Sequence, residues 1–461
     1  MKFEKITPNI TFVWPDEDKY ELHKSLLCAT TSRSHKSIEE RKEFYDKKGL
    51  TANAVRFMTE NLGFGDKSVS EMCNFIIEFH NVPMDFSLQF LSFEYQSPQE
   101  SSSRYLRMPQ DHFYKYENMQ YEPGYDSYLM NCEYSISLYN KAFDDLYRFY
   151  EEKFPVENID WAQMSEKDIK TAYNSTIKSK TADAVKIFLP MSTLTTFNTC
   201  INARALQDVI GQLTYVNLLN ERSFDPFLKP LVKYLKEDEK TSALFSKLDS
   251  TINIWSQKAT NKALQPKFKL KTDPFGATDH VDCYYLTPDC EIPVNQMPRE
   301  NRHDRLDPTY KLNLFLFKIV SSIGAFRDMN RHRAVYKTLQ NVYFPRALVP
   351  NNDMLTNFEQ YLEDYVEGNV MESIKSTTLF QSALALGTAV EWMMVSDLYE
   401  LSNIVELRSG KGGYWEYVRL ARELAECVRK DKYNIFEHAD FTTDYETSLP
   451  TLRNEMKKVA A

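Results

Sequence analysis

The sequence predicts an α+β protein built from two domains of similar size. Three observations predict it: a length of 461 residues, several stretches of clear helical period, and a few short runs of strand character. Single hydrophobic cores stop growing at roughly 250 to 300 residues, so a chain of this length divides naturally in two. With 43% hydrophobic and 26% charged residues, each half has apolar material enough for a core.

The helices come from spacing. In YSISLYNKAFDDLYRFYEEKF, Leu138, Ala142, Phe143, Leu146, Phe149 and Tyr150 recur at three- and four-residue intervals between acids and lysines, the pattern of an amphipathic helix. Similar patterns run through NARALQDVIGQLTYVNLL, NFEQYLEDYVEGNV, AVEWMMVSDLYELSNIVELR and YWEYVRLARELAECVRK. Strand-like runs are shorter: CNFIIEFH near residue 75, FKLKTD near 268 and VDCYYL near 281, each bounded by polar or turn residues. These imply modest antiparallel sheets. Pattern weakens and charge rises near residue 260, which places the domains at 1–258 and 259–461.

A net charge of -9 argues against a broadly basic nucleic-acid binder, while leaving room for a local basic pocket. The seven cysteines are scattered, with no C-x-x-C pair, and the eight histidines show no ligand spacing, so no metal is expected. No apolar run is long enough to span a membrane, and the N-terminal residues lack a signal-peptide core, so the expectation is a cytosolic protein without a membrane partner. None of the 12 glycines falls in a phosphate-loop pattern; the cluster Gly410-Lys411-Gly412-Gly413 lacks the following Ser/Thr. A bound nucleotide would have to be held by arginines.

Such arginines occur in ordered groups. Gln89 precedes Ser92-Phe93-Glu94-Tyr95-Gln96-Ser97-Pro98-Gln99-Glu100-Ser101-Ser102-Ser103-Arg104-Tyr105, and upstream lies Gly65-Asp66-Lys67-Ser68-Val69-Ser70-Glu71. Downstream are Lys186-Ile187-Phe188-Leu189-Pro190 and Asn202-Ala203-Arg204-Ala205-Leu206. The second half carries Asn330-Arg331-His332-Arg333 and Leu401-Ser402-Asn403-Ile404-Val405-Glu406-Leu407-Arg408. By itself, Glu100-x-Ser102-x-Arg104 also suits a helix start, and Arg408 before Gly410 suits a helix end.

Taken together these segments resemble the flavin-dependent thymidylate synthases, whose signature is R-H-R-x-x-S-x-N-E-x-S-x-R-Y, accompanied by G-H-x-S-x-x-E, R-x-x-L-P, N-A-R-x-L and a helix ending in Leu-Arg. The first half keeps Ser97, Glu100, Ser102, Arg104 and Tyr105 but has Ser92-Phe93-Glu94 for Arg-His-Arg, Asp66 for the histidine, Lys186 for arginine and Leu213 at the helix-end arginine. The second half restores Arg-His-Arg at 331–333 and the helix-end arginine at 408, but has Tyr336, Leu339, Asn341 and Tyr343 where the serine, glutamate, serine and arginine belong.

The losses are complementary, so the resemblance implies two diverged tandem copies that share one composite site. It further implies reductive methylation of dUMP to dTMP with FAD, NADPH and methylenetetrahydrofolate. Gln89, Glu100, Ser102, Arg104, Lys186, Arg331 and Arg408 would bind substrate, with Arg408 the catalytic group that polarises the pyrimidine. Arg331, His332, Arg333, Asn202, Arg204, Asn403 and Ser68 would bind the flavin. A homodimer forming a pseudo-tetramer is implied as well. The altered positions Ser92, Leu213 and Lys186 leave two alternatives open: a flavoprotein acting on another pyrimidine nucleotide, and a non-catalytic nucleotide-binding, flavin-binding or scaffold protein.

Overall fold

The computed structural model describes residues 1–14, 27, 35–48, 67–93, 95–104, 106–159, 165–219, 222–261, 269–271, 280–287, 299–302, 304, 306–343, 350–368, 379–410, 413–429 and 435–444. Their strands and principal helices follow in chain order: β1 (Lys2–Thr7), β2 (Ile10–Trp14), β3 (Asn74–Pro83), α1 (Met84–Leu91), β4 (Gln96–Glu100), α2 (Tyr125–Lys153), α3 (Glu166–Val185), β5 (Leu194–Asn202), α4 (Ala203–Leu219) and α5 (Leu248–Thr260). After these come β6 (Lys269–Lys271), β7 (His280–Tyr285), β8 (Leu314–Ser322), α6 (Ile323–Met329), β9 (Tyr336–Tyr343), α7 (Glu359–Gly368), β10 (Ala389–Asp397), α8 (Leu398–Arg408) and α9 (Trp415–Arg429). The expected α+β class is what the chain adopts.

Alternation explains the strands. In β3, Phe75, Ile77 and Phe79 are buried while Asn74 and Ile76 face outward, and in β5 Thr195, Phe197, Thr199 and Ile201 point inward, the period of two that lets one face of a sheet meet a core. The two sheets have the orders β1-β2-β3-β5-β4 and β6-β9-β10-β8-β7. Their common part, β2-β3-β5-β4 and β7-β8-β10-β9, is one topology used twice. All its neighbours are antiparallel, whereas the added β6 runs parallel to β9. In each half a 3-10 turn, Lys67–Met72 or Pro308–Leu312, leads into the first of these repeated central strands.

The segment AVEWMMVSDLYELSNIVELR is a correction. Its first nine residues form strand β10 and only the remainder is helix. The run AVEWMMV mimics a helical pattern because the first four residues of β10, Ala389 to Trp392, are all buried, and a strand covered on both faces loses clean alternation. Trp392 is fully buried there and donates from Nε1 to Ser321 Oγ at 2.9 Å, satisfying the one polar atom of the ring. The boundary drawn after residue 258 falls inside α5, which packs on α4 where Gly211 admits the Trp255 indole; a Cβ at Gly211 would stand 2.4 Å from its ring.

The halves join backbone to backbone. Met191 N donates to Leu384 O, Ser192 N to Ser382 O, Leu386 N to Leu189 O and Gly387 N to Ile187 O, at 2.8, 2.8, 2.8 and 2.9 Å. The pairing is symmetric about an antiparallel bridge between Pro190 and Ala385, two residues that hold the same place ahead of β5 and β10. A pseudo-twofold axis therefore passes through them. Around it the buried apolar side chains of both halves form one continuous cluster.

Candidate active site

The same axis brings β4 of the first half to α6 of the second. Glu100 ends β4 on the face shared with buried Gln96, diagonal to Thr195 and Thr199 of β5; Thr199 Oγ1 donates to Gln96 Oε1 at 2.9 Å, and Glu100 Oε1 accepts from Ser87 Oγ at 2.7 Å and from Thr195 Oγ1 at 3.3 Å. Ser322 caps α6, so Arg327 and Arg331, four residues apart, lie on one side of that short helix and its exit. Both reach Glu100, Arg327 at 2.6 Å and Arg331 at 3.8 Å. Arg333 donates to the backbone oxygen of Gln96. The Glu-x-Ser-x-Arg strand and the Arg-His-Arg turn thus share one cavity within a single chain.

A second set of ion pairs continues from there. Arg104 donates from Nε to Asp183 Oδ2 at 2.7 Å, and Lys186 lies 3.8 Å from Asp183 Oδ1 and 3.1 Å from Asp328 Oδ2. The Lys186 ammonium sits 3.3 Å from the centre of the Tyr414 ring, a contact between a cation and the negative face of an aromatic ring. Arg331 approaches Asp328 at 3.6 Å. Arg408, the last residue of α8, donates from Nε to His332 Nε2 at 2.8 Å and from Nη2 to Asp328 O at 3.3 Å. Ser102 Oγ accepts from the Arg104 amide at 3.3 Å and so shapes the turn that carries Arg104.

Electrostatics favour an anion. Burial alone would push the Asp328 carboxyl up, but Lys186, Arg331, Arg327 and Arg408 outweigh it and hold the group well below the usual carboxylate range. For Arg327, burial opposes the charge, yet Glu100 and Asp328 more than offset it and raise its pKa. His332 is the reverse case: burial, then Arg408, Lys337 and Arg331, keep it neutral far below its ordinary value. Six cations, Arg104, Lys186, Arg327, Arg331, Arg333 and Arg408, therefore face three carboxylates, Glu100, Asp183 and Asp328. A cavity of about 220 Å³ opens beside Glu100, Arg327, Arg331 and Arg333, with Leu88, Leu91 and Pro98 supplying an apolar wall.

Not every expected residue is there. Gln89 lies on α1 in the place that Asp328 has on α6, so it belongs to the opposite, reciprocal position, and the composite site has a carboxylate where the amide was expected. By the pseudo-twofold, Leu88 and Leu213 correspond to Arg327 and Arg408; Leu88 walls the cavity already described, and Leu213 is fully buried. Asn202 and Arg204 lie at the far end of β5 from Thr195, about 20 Å away at strand rise. Asn202 Oδ1 accepts from Ala205 N at 2.8 Å as a helix cap, and Arg204 pairs with Glu71. Asn403 is exposed on α8, within 3.4 Å of Glu400. Ser68 falls in the 3-10 turn Lys67–Met72, and its side chain, like Asp66, lies outside the described residues.

Conversely, Arg327, Asp328, Asp183 and Tyr417 went unnoticed in the sequence. Two of them carried a signal: Asp183 stands one helical turn before Lys186, and Arg327 one turn before Arg331.

Two halves of one repeated topology closing on a cationic cleft define a fused tandem-repeat protein. Residues 18–215 and 309–432 match the family model described as thymidylate synthase complementing protein. The match takes in more than half of the chain, which belongs to that family, the flavin-dependent thymidylate synthases, in tandem form. The chain is also similar to a UPF0159 protein of Chlamydia muridarum (strain MoPn / Nigg), 21% identical over 446 residues that span 86% of this chain and 82% of that one. A UPF0159 protein of Chlamydia pneumoniae is 22% identical over 476 residues, spanning 90% and 86%. Among the described residues no helix is long and apolar enough to cross a membrane.

Proposed function

We propose that this chain methylates dUMP reductively to dTMP, using FAD, NADPH and methylenetetrahydrofolate, at the cleft between its halves. The observation that carries this reading is Glu100 of the first half meeting Arg327 and Arg331 of the second. Among the described residues one composite cleft of this charge is built, so one nucleotide per chain is the expected load. Arg104 and Lys186, now paired with Asp183 and Asp328, are the groups for the substrate phosphate. Guanidinium and ammonium bonds to a dianion are roughly twice as strong as neutral ones. Arg408 faces the pyrimidine, where it stabilises charge that develops on a carbonyl oxygen.

The cleft suits a flavin nucleotide: Arg331 and Arg333 line it beside Leu88, Leu91 and Pro98, pairing guanidiniums for a pyrophosphate with an apolar wall for a ring. FAD, when bound, supplies the hydride chemistry. Arg331 and Arg333 hold it, and His332, which accepts a bond from Arg408, acts by holding that arginine. Asn202, at the end of β5, and Arg204, just beyond it, lie too far from Glu100 to serve the cleft of their own chain. The homodimer expected from the sequence would let them serve the partner's, and light scattering should then give twice the mass of one chain.

Asp328 in place of an amide favours a second reading, a flavoprotein acting on another pyrimidine nucleotide, because a carboxylate accepts hydrogen bonds and an amide does both. Release of tritium from [5-³H]dUMP in the presence of FAD, NADPH and methylenetetrahydrofolate tests the first reading. No release, together with tighter binding of dCMP than dUMP, would favour the second.

A further inference from the structure

The guanidinium of Arg408 is held on three sides. Nε donates to His332 Nε2 at 2.8 Å, Nη2 to Asp328 O at 3.3 Å, and the flat face lies 4.9 Å from the centre of the Tyr417 ring. Tyr417 comes from α9 and can lie there because residue 413 is glycine; a Cβ at that position would stand 2.5 Å from Tyr417 Cε2. His332 follows α6, its backbone oxygen receiving Lys337 Nζ. Among the described residues no hydrogen bond or ion pair is made by Nη1 of Arg408.

We propose that His332 and the Tyr417 ring are positioning residues that together fix the Arg408 guanidinium and aim its remaining nitrogen at the substrate. Neither was assigned this task by the sequence, where His332 stood among the flavin contacts and Tyr417 went unremarked. The proposal deepens the reading of Arg408 as the pyrimidine-facing group and rests on it. Physically, an arginine side chain has many rotamers to lose, and a donor that is free to wander stabilises a transition state poorly; misplacement by about 1 Å can cost on the order of a hundredfold in rate.

The clamp needs His332 to accept at Nε2, hence to carry its proton on Nδ1. The charged groups that face it are Arg408 from α8, and Lys337 and Arg331 from its own segment, all cations, and with burial they keep the ring neutral. An imidazolium would set a donor against a donor and break the bond to Arg408.

The full-length protein loaded with FAD provides the test. His332→Leu should lower kcat about a hundredfold while KM for dUMP moves less than about threefold, and His332→Gln, whose amide oxygen can take the place of Nε2, should recover at least about tenfold of that loss. Tyr417→Phe should stay near wild type and Tyr417→Leu should fall with His332→Leu. A kcat for His332→Leu close to wild type, or a His332→Gln variant no better than His332→Leu, overturns the proposal. A second arm needs no turnover: ¹⁵N NMR of the wild-type imidazole should show a bare Nε2 at pH 7, and Arg408→Met should raise the pH at which His332 titrates, since one of its three cations is gone. A protonated Nε2 in the wild type overturns the clamp. If wild type releases no tritium from dUMP, the proposed reaction fails and the clamp is judged by NMR alone.

Discussion

Glu100 shows how a single residue joins two copies of a fold. Its carboxylate is the counterion of Arg327, which is only 5% exposed, and removing one member of a buried pair leaves the other charge uncompensated at a cost of about 3 to 5 kcal/mol. Glu100→Gln should therefore destabilise the protein by an amount of that order, readable in urea unfolding, even in the absence of ligand. Retained stability would mean that Arg327 finds another partner. Arg104→Ala and Arg408→Ala lie in different halves, yet each should abolish tritium release, with kcat falling on the order of a hundredfold or more for Arg408→Ala. Undiminished turnover in either would separate that residue from the site.

Asp85 makes a different prediction, about pH. It lies at the start of α1, accepting from Tyr116 Oη at 2.7 and 2.8 Å, from Phe86 N at 2.6 Å and from Ser382 of the other half. Burial raises its carboxyl to about 6, against these hydrogen bonds. A folded value above the unfolded one means that the folded state binds the proton more tightly. Stability from this residue is then greatest below about pH 4, declines as pH rises to about 6, and is flat above; a gap of this size is worth about 3 kcal/mol. Asp85→Asn should flatten that part of the profile, so its stability relative to wild type should rise between pH 4 and 6.5. A difference that does not vary with pH would contradict this.

At the scale of elements, the join depends on a close approach. Gly387 N bonds Ile187 O at 2.9 Å, and a Cβ on Gly387 would meet Ile187 Cβ at 2.7 Å and its backbone oxygen at 2.9 Å. Gly387→Val should cost about 1 to 3 kcal/mol, as overpacking usually does, and should loosen the halves first, visible as faster amide exchange at Met191 and Leu386. Unchanged exchange would mean that the join relaxes without cost. Elements with clean periodicity were legible in the sequence: the helix carrying Leu138 to Tyr150 and the strand CNFIIEFH are both found. Strand β10 was not, because its first four residues, Ala389 to Trp392, are all buried and leave no alternation to read. Arg327 and Asp328 were also missed, since a helix as short as Ile323–Met329 offers too few residues for a period to show.

For the whole molecule, the pseudo-twofold axis through Pro190 and Ala385 generates two equivalent places for a site, and the side chains make them unequal. Calorimetric titration with dUMP should accordingly give one site per chain; two equal sites would contradict the reading of Leu213 as a replacement that closes the reciprocal place.

The sequence by itself determined the family, the tandem arrangement and the division of arginines between the halves, because those reside in the order and spacing of short motifs. Only the tertiary structure decided which groups touch: that Lys186 pairs with Asp328, that Arg408 donates to His332, and that Asn202 caps a helix and Arg204 pairs with Glu71. The reason is that folding, across the pseudo-dyad for Lys186 and Asp328 and within the second half for His332 and Arg408, brings together residues 142 and 76 positions apart, and no local periodicity records such a distance.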